Sequence, residues 1–390
     1  MDQTKTQNTL YSVISYNKTI EAEIIVGRKC NFRCPYCFTR QDPKAFKDED
    51  DNVLMENIDK VFEHLDYLLN ITKSHNLKSF IITFFGGEPF CYPSLIKKIV
   101  DRYRSEPLVR FCFITNGSLL LQNFSLFANV PKERLFFSIS YDYCLQDETR
   151  HAGTYQIVRD AIKFLKKNNI PLRTITVLTS KTIYRIVDVL SDYVKLVNEI
   201  GEPIRATINT AKSSYKDFTQ WDDEKLMKKF EIVKNFSKRY PKYGLICNVN
   251  GLDRKSGAYF DIIQRYAINP NGQIGWDCAS FFKGDLNDPY IFYGSIFQSP
   301  EEVVKKRVEI LTEWGGKISE ECQKCPALAC KLDPYSFLDD TSPKNWGSKP
   351  NASGAYHCKV TQWITNRLFS EDLKYCPQCK MKKEIKIFPE

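Results

Sequence analysis

Short apolar runs alternate with longer amphipathic segments from residue 23 to about residue 245. Each run has the length of a strand and is bounded by polar or turn residues, which is typical of buried strands. The predicted strands are 23–28, 79–85, 109–115, 135–140, 172–178 and 204–209. Apolar residues at helical spacing lie between the strands, in 58–69, 95–103, 157–165 and 183–194. This alternation predicts an α/β fold with a parallel sheet that is covered on both faces.

The character of the sequence changes after about residue 245. Regular alternation fades, Gly and Pro become frequent, and eight of the 14 cysteines fall in residues 247–379. A region with little periodic core usually needs a metal to hold it together. The 390 residues also exceed what one hydrophobic core usually holds. We therefore expect a short extension in residues 1–22, an α/β core in 23–245 and a small cysteine-rich domain in 246–390.

The charge balance is mildly basic, with 56 Lys and Arg against 47 Asp and Glu, a net charge of +9. This excess is spread along the chain, so it permits an acidic partner and gives no reason to expect nucleic acid. The N-terminus is polar, and no window approaches the roughly 18 apolar residues of a membrane span. We expect a cytoplasmic protein without a membrane partner, in which clustered cysteines indicate metal or redox chemistry.

Three closely spaced cysteines, Cys30, Cys34 and Cys37, follow the first predicted strand. They therefore lie at the carboxyl end of a strand, where α/β folds place their sites. A [4Fe–4S] cluster normally takes four cysteine ligands, so three thiolates would leave one iron with an open coordination position. On spacing alone, a structural zinc knuckle with a more distant fourth ligand is the alternative.

Further segments with candidate chemistry end the next three predicted strands. They are Phe85-Gly86-Gly87-Glu88-Pro89, Thr115-Asn116-Gly117 and Ser138-Ile139-Ser140-Tyr141-Asp142. Together with the CxxxCxxC spacing of the cysteines, they resemble the GGEP, TNG and S-L-D-G motifs of the radical S-adenosylmethionine (SAM) superfamily. Tyr143 stands in place of the last glycine. The resemblance covers nearly all of residues 23–245 and implies a partial (β/α)6 barrel like part of a TIM barrel.

The resemblance implies a role for each motif. Cys30, Cys34 and Cys37 would hold a [4Fe–4S] cluster to which SAM binds, and Glu88 would face the SAM ammonium. Gly86 and Gly87 lack side chains, so the backbone there can approach a ligand closely. Ser138 competes with Ser140 for a SAM contact, and no general acid or base is indicated. The other implied SAM-binding residues are Tyr36 near the adenine, Pro89, Thr115, Asn116, and Ser140 and Arg150 near the ribose and carboxylate.

The cysteines of the C-terminal region resemble the SPASM domain of radical SAM peptide and sulfatase maturases. The first four can complete an auxiliary [4Fe–4S] cluster and are Cys322, Cys325, Cys330 and Cys358. The other four can complete a second auxiliary cluster and are Cys247, Cys278, Cys376 and Cys379. A zinc site or free thiols are the alternative for the last pair. The match is incomplete, because the cysteine that the family carries upstream of the glycine matching Gly272 is missing.

The superfamily resemblance also implies a reaction. The reduced cluster cleaves SAM to methionine and a 5′-deoxyadenosyl radical, which takes a hydrogen atom from the substrate. The SPASM-like region favours a peptide or protein side chain as the substrate, matured by oxidation or cross-linking. A reductant such as flavodoxin or ferredoxin is the implied partner.

Two other functions stay open. An anaerobic sulfatase maturase would make formylglycine, but that group carries a glutamine where this chain has Ile114. It also carries an aspartate directly after the cysteine matching Cys278, where this chain has Ala279. The second alternative is a non-catalytic iron–sulfur or zinc module that docks partners. The three-cysteine motif and Glu88 argue against it, because a structural site has no reason to leave a coordination position open.

Overall fold

The computed structural model describes residues 19–37, 52–211, 223–246, 265–275 and 292–315. The strands in this part of the chain are β1 (Thr19–Ile25), β2 (Ser79–Phe85), β3 (Val109–Thr115), β4 (Leu135–Ser140), β5 (Leu172–Leu178), β6 (Arg205–Thr210), β7 (Leu245–Ile246), β8 (Arg265–Ile268), β9 (Gln273–Gly275) and β10 (Phe292–Ser295). The α-helices are α1 (Val53–Glu56), α2 (Ile58–Ser74), α3 (Pro93–Tyr103), α4 (Leu120–Asn123), α5 (Gln146–Thr149), α6 (Tyr155–Lys167), α7 (Ile186–Ile200), α8 (Asp223–Arg239) and α9 (Pro300–Gly315).

Four of the predicted strands, β2 to β5, have the bounds that their apolar runs predicted. The prediction for the first strand was wrong, because β1 begins at Thr19 and ends at Ile25. In the first half of β1, the half-buried residues Thr19 and Glu21 alternate with the buried residues Ile20 and Ala22. This half therefore does not form a continuous apolar run. β6 lies one residue later than predicted. The four amphipathic segments each contain a helix, as predicted.

The described residues fall into two compact units. Within these residues the chain passes from one unit to the other directly after β1, between Ile25 and Val26, and again within β2, between Ile81 and Ile82. The first unit contains β1, β8, β9, β10, α1, α2 and α9. Within it, β8 pairs parallel to β1, β9 pairs antiparallel to β8, and β10 pairs antiparallel to β9. The second unit contains the end of β2, β3 to β7 and α3 to α8.

The sheet of the second unit confirms the predicted parallel α/β fold. Each strand from β3 to β7 pairs parallel to the next one along the chain, and β2 lies beside β3. A sequential order with helices in the crossovers is the winding of a (β/α) barrel, whereas a doubly wound sheet reverses its strand order. All carboxyl ends of these strands therefore point the same way.

Stacked aromatic rings hold β2, β3 and β4 in register. The Phe113 ring on β3 stacks on Phe84 of β2 and Phe137 of β4, with ring centroids 4.9 and 5.2 Å apart. Phe90, just beyond β2, stacks on the same Phe113 ring at 5.6 Å. All four side chains are buried. Their packing fixes the relative positions of the three strand ends that carry the predicted motifs.

The boundaries of the predicted cysteine-rich domain stay a prediction. Only Ile246 and residues 265–275 and 292–315 of this region are described, and its eight cysteines lie outside the described residues. Among the helices that the structure does describe, none is long and apolar enough to cross a membrane.

Candidate active site

The chain segment before Cys30 lies against the end of β2. The backbone N–H groups of Gly87 and Glu88 donate to the carbonyl oxygens of Gly27 and Lys29, both at 2.8 Å. A Cβ atom on Gly87 would lie 2.3 Å from the Lys29 carbonyl oxygen, a distance that real side chains do not tolerate. A Cβ atom on Gly86, whose φ is +151°, would lie 2.5 Å from the Gly27 carbonyl oxygen. These glycines bring β2 against the cysteine loop, and their contact with a cofactor stays a prediction.

Glu88 joins the ends of β2 and β3. Its Oε1 accepts hydrogen bonds from the Thr115 hydroxyl at 2.6 Å and the Phe90 N–H at 3.2 Å, and its Oε2 accepts from the Asn116 N–H at 2.7 Å. Burial raises the pKa of Glu88 to about 7, and the three hydrogen bonds partly oppose this rise. Pro89 follows as the first residue of a short 3-10 turn that Glu88 caps. The carboxyl group is thus fixed in place and poised to ionise when a cation approaches.

Asp142, which the sequence analysis did not select as a site residue, is the centre of a second buried network. Its Oδ2 accepts from the Tyr36 hydroxyl at 2.5 Å and the Thr149 hydroxyl at 2.8 Å. Its Oδ1 accepts from Arg150 Nη2 at 3.0 Å and from the Val177 N–H at 2.8 Å. The Arg150 Nε also lies 3.0 Å from Oδ2. The only sequence signal for this role was the position of Asp142 in the S-L-D-G-like stretch.

The Asp142 network reaches the cysteine loop through Tyr36 and Arg150. The Arg150 guanidinium carbon lies 5.6 Å from the centroid of the Tyr36 ring. Burial raises the pKa of Tyr36, so its hydroxyl stays a neutral donor to Asp142. Burial also raises the pKa of Cys34 to about 11, and the positive charge of Arg150 acts in the opposite direction. Arg150 therefore places a fixed positive charge beside the second cysteine of the motif.

The two serines of β4 have different surroundings. Ser138 is fully buried and its hydroxyl accepts a hydrogen bond from Arg173 Nε at 2.8 Å. Ser140 is half-buried at the carboxyl end of the strand, on the same end as Glu88 and Asp142. Of the two candidates, Ser140 is the one that can meet a ligand.

The three cysteines fit a cluster. They are half-buried on one loop, and the Cys30 Sγ accepts a hydrogen bond from the Phe32 N–H at 3.4 Å. The Phe32 N–H at Cys30 and the positive charge of Arg150 near Cys34 favour the thiolate, whereas the burial of Cys34 opposes it. A metal ion deprotonates the thiol that binds it, so burial does not exclude iron. No three His, Cys, Asp or Glu side chains of the described residues surround a single point as ligands of one ion. That geometry is not required here, because each thiolate of a cubane cluster binds a different iron.

A cysteine loop, a buried glutamate and a buried arginine meet at the carboxyl ends of parallel strands in one unit. This arrangement is typical of α/β enzymes that place their site at the carboxyl ends of parallel strands. The family comparison agrees, since residues 24–192 match the radical SAM superfamily. Residues 24–192 therefore match a radical SAM domain, a class of domain whose cofactors are a [4Fe–4S] cluster and SAM.

The two relatives that the chain resembles in sequence are enzymes with different reactions. The chain is 30% identical over 216 residues to the radical SAM cyclopropyl synthase TigE of Paramaledivibacter caminithermalis, a match that covers 50% of this chain and 43% of that protein. It is 22% identical to an S-adenosylmethionine-dependent nucleotide dehydratase of Psychrobacter lutiphocae, with 73% and 90% covered.

A solved structure of anSMEcpe with bound AdoMet and a Cp18Cys peptide superposes with a TM-score of 0.60 at 16% identity, covering 92% of this chain and 99% of that one. This likeness shows that the two chains share a fold. The chain spans less than half of the length of TigE, so the substrate does not follow from that similarity.

Proposed function

We propose that this protein is a radical SAM enzyme that takes a hydrogen atom from a peptide or protein side chain. The observation that carries the proposal is the meeting of Cys30, Cys34 and Cys37 with Glu88 and Arg150 in one unit. When bound and reduced, the cluster and SAM supply a 5′-deoxyadenosyl radical. The peptide-bound structure of anSMEcpe, which has the same fold, supports a peptide as the substrate.

Glu88 and Arg150 match the two charges at the amino-acid end of SAM. Both side chains are at least nine-tenths buried, and an isolated buried charge is unfavourable unless it is paired. The Glu88 carboxylate, which meets three neutral donors, would accept the SAM ammonium. Arg150, already held by Asp142, would donate a remaining N–H to the SAM carboxylate, with Ser140 near the ribose. Opposite charges at fixed positions would orient SAM in one way only.

Replacing Glu88 by Gln is expected to weaken SAM binding about ten- to hundred-fold, because one charge-assisted bond contributes on the order of 1.5–3 kcal/mol. Wild-type affinity should also rise as the pH rises through about 7, where Glu88 ionises. The Gln variant cannot ionise, so its affinity should not follow this titration. Calorimetric titration of reconstituted protein with SAM at several pH values measures both effects.

The matched control for this change is Glu148→Gln. Glu148 is exposed and pairs with Arg185 in the same unit, so its neutralisation should leave SAM affinity and iron content unchanged. The two variants must also retain wild-type iron, because Glu88 links two strand ends. Equal affinity and an equal pH profile in Glu88→Gln and the wild type would leave Glu88 with a structural role alone.

The substrate class is tested with the reconstituted enzyme, SAM and a reductant such as flavodoxin or ferredoxin. Formation of 5′-deoxyadenosine establishes radical SAM activity. A peptide encoded beside the gene should then lose the mass of two hydrogen atoms, and a nucleoside triphosphate serves as the comparison because one relative is a nucleotide dehydratase. Formylglycine in the product would favour the sulfatase-maturase alternative. Zinc in place of iron, with no SAM cleavage, would favour a docking module.

We also propose that the cysteine-rich region holds one or two auxiliary [4Fe–4S] clusters. The first set is Cys322, Cys325, Cys330 and Cys358, and the second is Cys247, Cys278, Cys376 and Cys379. Both sets lie outside the described residues. The number of cysteines supports the proposal, because three, four and four ligands correspond to about eight to twelve irons per chain, depending on whether the second auxiliary cluster forms.

Deleting residues 371–390 removes Cys376 and Cys379 and is expected to lower the iron content by about four per chain. SAM cleavage without substrate should stay measurable, because the first cluster is untouched. Modification of the peptide should stop. Iron analysis, 5′-deoxyadenosine formation and peptide mass give the three readouts. Full iron content together with full product formation would limit the protein to one auxiliary cluster.

A further inference from the structure

Asn116, in the Thr115-Asn116-Gly117 motif, contacts both the cysteine motif and Glu88 of the Gly86-Gly87-Glu88-Pro89 motif. Its backbone N–H donates to Glu88 Oε2 at 2.7 Å. Its side-chain Nδ2 donates to Asn31 Oδ1 at 2.9 Å and also lies within hydrogen-bonding distance, 3.9 Å, of the Cys30 sulfur. Asn116 is 7% exposed, and its contacts with Asn31 and Cys30 are partly buried.

The orientation of the Asn116 amide is fixed by its neighbours. Its Oδ1 accepts two hydrogen bonds from Ser118, from the N–H at 2.9 Å and from the hydroxyl at 2.7 Å. The Ser118 hydroxyl in turn accepts from Asn31 Nδ2 at 2.8 Å. Because both donors of Ser118 face the amide oxygen, the NH₂ group must face Asn31 and Cys30. A flipped amide would place two donors against each other.

We propose that Asn116 donates an N–H···S hydrogen bond to Cys30 and thereby raises the reduction potential of the cluster. This inference rests on the proposed function, in which Cys30 is a cluster ligand. Reduction adds negative charge to the cluster and its sulfur ligands, so a donor to sulfur stabilises the reduced form more than the oxidised form. The Phe32 N–H, 3.4 Å from the same sulfur, acts in the same direction. Two of the donors to Cys30 are thus the Phe32 N–H and the Asn116 side chain, and the side chain can be replaced.

The effect is relevant because only the reduced cluster can start the reaction. At a fixed reductant potential, the reduced fraction falls as the cluster potential falls. Asn116 therefore acts as a positioning residue that sets how easily the domain accepts an electron. Its contact with Glu88 places this influence next to the SAM-binding carboxylate.

The test compares Asn116→Ala and Asn116→Asp with the wild type. Both variants remove the donor, and only Asp adds a charge. Reduction should become about threefold less favourable in Asn116→Ala and about tenfold in Asn116→Asp, the latter being about 59 mV for one electron. The measurement is a redox titration followed by electron paramagnetic resonance, using the signal that changes when SAM is added, so that auxiliary clusters do not interfere.

Asn123→Ala is the matched control, because its side chain donates to the Leu119 carbonyl oxygen, a local bond within its own helical turn. Its cluster potential should equal that of the wild type. If the Asn116 variants lose the cluster, the redox titration is carried out on Ser118→Ala instead. That variant keeps the Asn116 donor but removes one of its two anchors, so a smaller shift in the same direction is expected.

Two failures can be told apart. A wild-type protein that neither holds iron nor cleaves SAM would overturn the proposed function. A wild-type protein that cleaves SAM, with variants that hold the cluster at an unchanged potential, would overturn only the role of Asn116. An unchanged potential in Ser118→Ala, where the Asn116 variants lose the cluster, would also overturn it.

Discussion

Replacing Cys30, Cys34 and Cys37 together by Ala is expected to remove about four irons per chain and all SAM cleavage. The three thiolates lie on one loop against the end of β2, and their loss leaves the first cluster no protein ligands. The auxiliary absorption in the visible spectrum should persist, because its proposed ligands are other cysteines. Iron analysis, the visible spectrum and 5′-deoxyadenosine formation after anaerobic reconstitution measure the outcome.

The control for the triple variant is Cys144→Ala. Cys144 is an exposed cysteine in the segment after β4, so its removal should change neither iron content nor SAM cleavage. An unchanged iron content in the triple variant would refute the assignment of these three cysteines. So would zinc as the metal of the wild-type protein, and the zinc-knuckle alternative would then explain the motif.

The sequence was most informative where a single apolar run forms a buried strand. β2 to β5 followed from such runs, and the motifs at the ends of β2 and β3 pointed to Glu88 and Asn116. The cysteine loop follows β1 and was found from the spacing of its cysteines. β1 was misplaced because its first half alternates between buried and half-buried residues, a weaker signal than a continuous run. Local patterns thus predicted these strands and indicated that the candidate site lies at their carboxyl ends.

The contacts between motifs could not be predicted, because they join residues far apart in the sequence. Tyr36 and Asp142 are 106 residues apart, and the bond between their side chains depends on the packing of the second unit.

Gly86 and Gly87 illustrate a different limit. The sequence indicated that a chain segment must come close there, and the structure shows the cysteine loop in that place. Which part of the chain packs against a glycine depends on the tertiary structure and cannot be derived from the local sequence.

Asp142→Asn is expected to destabilise the second unit strongly. Asp142 is fully buried and carries the negative charge that faces Arg150, whose charge is buried as well. Removing one partner of a buried ion pair leaves the other without compensation, which typically costs about 3–5 kcal/mol. The Tyr36 and Thr149 hydroxyls would also lose a charged acceptor. The free energy of unfolding in urea should fall by about that amount, and SAM affinity should fall with it because Arg150 loses its orientation.

The exposed pair of Arg185 and Asp188 provides the comparison, since both side chains are well exposed at a separation of 3.1 Å. Asp188→Asn should cost less than about 1 kcal/mol, because water already solvates the partner. A double variant, Asp142→Asn with Arg150→Met, removes both buried charges and should recover part of the stability lost in Asp142→Asn, but not the SAM affinity. Stability equal to wild type in Asp142→Asn would contradict a buried ion pair at this site. Unchanged SAM affinity in Asp142→Asn would show that the Asp142 network does not contribute to SAM binding. Arg150 would then not depend on the Asp142 carboxylate for its role toward SAM.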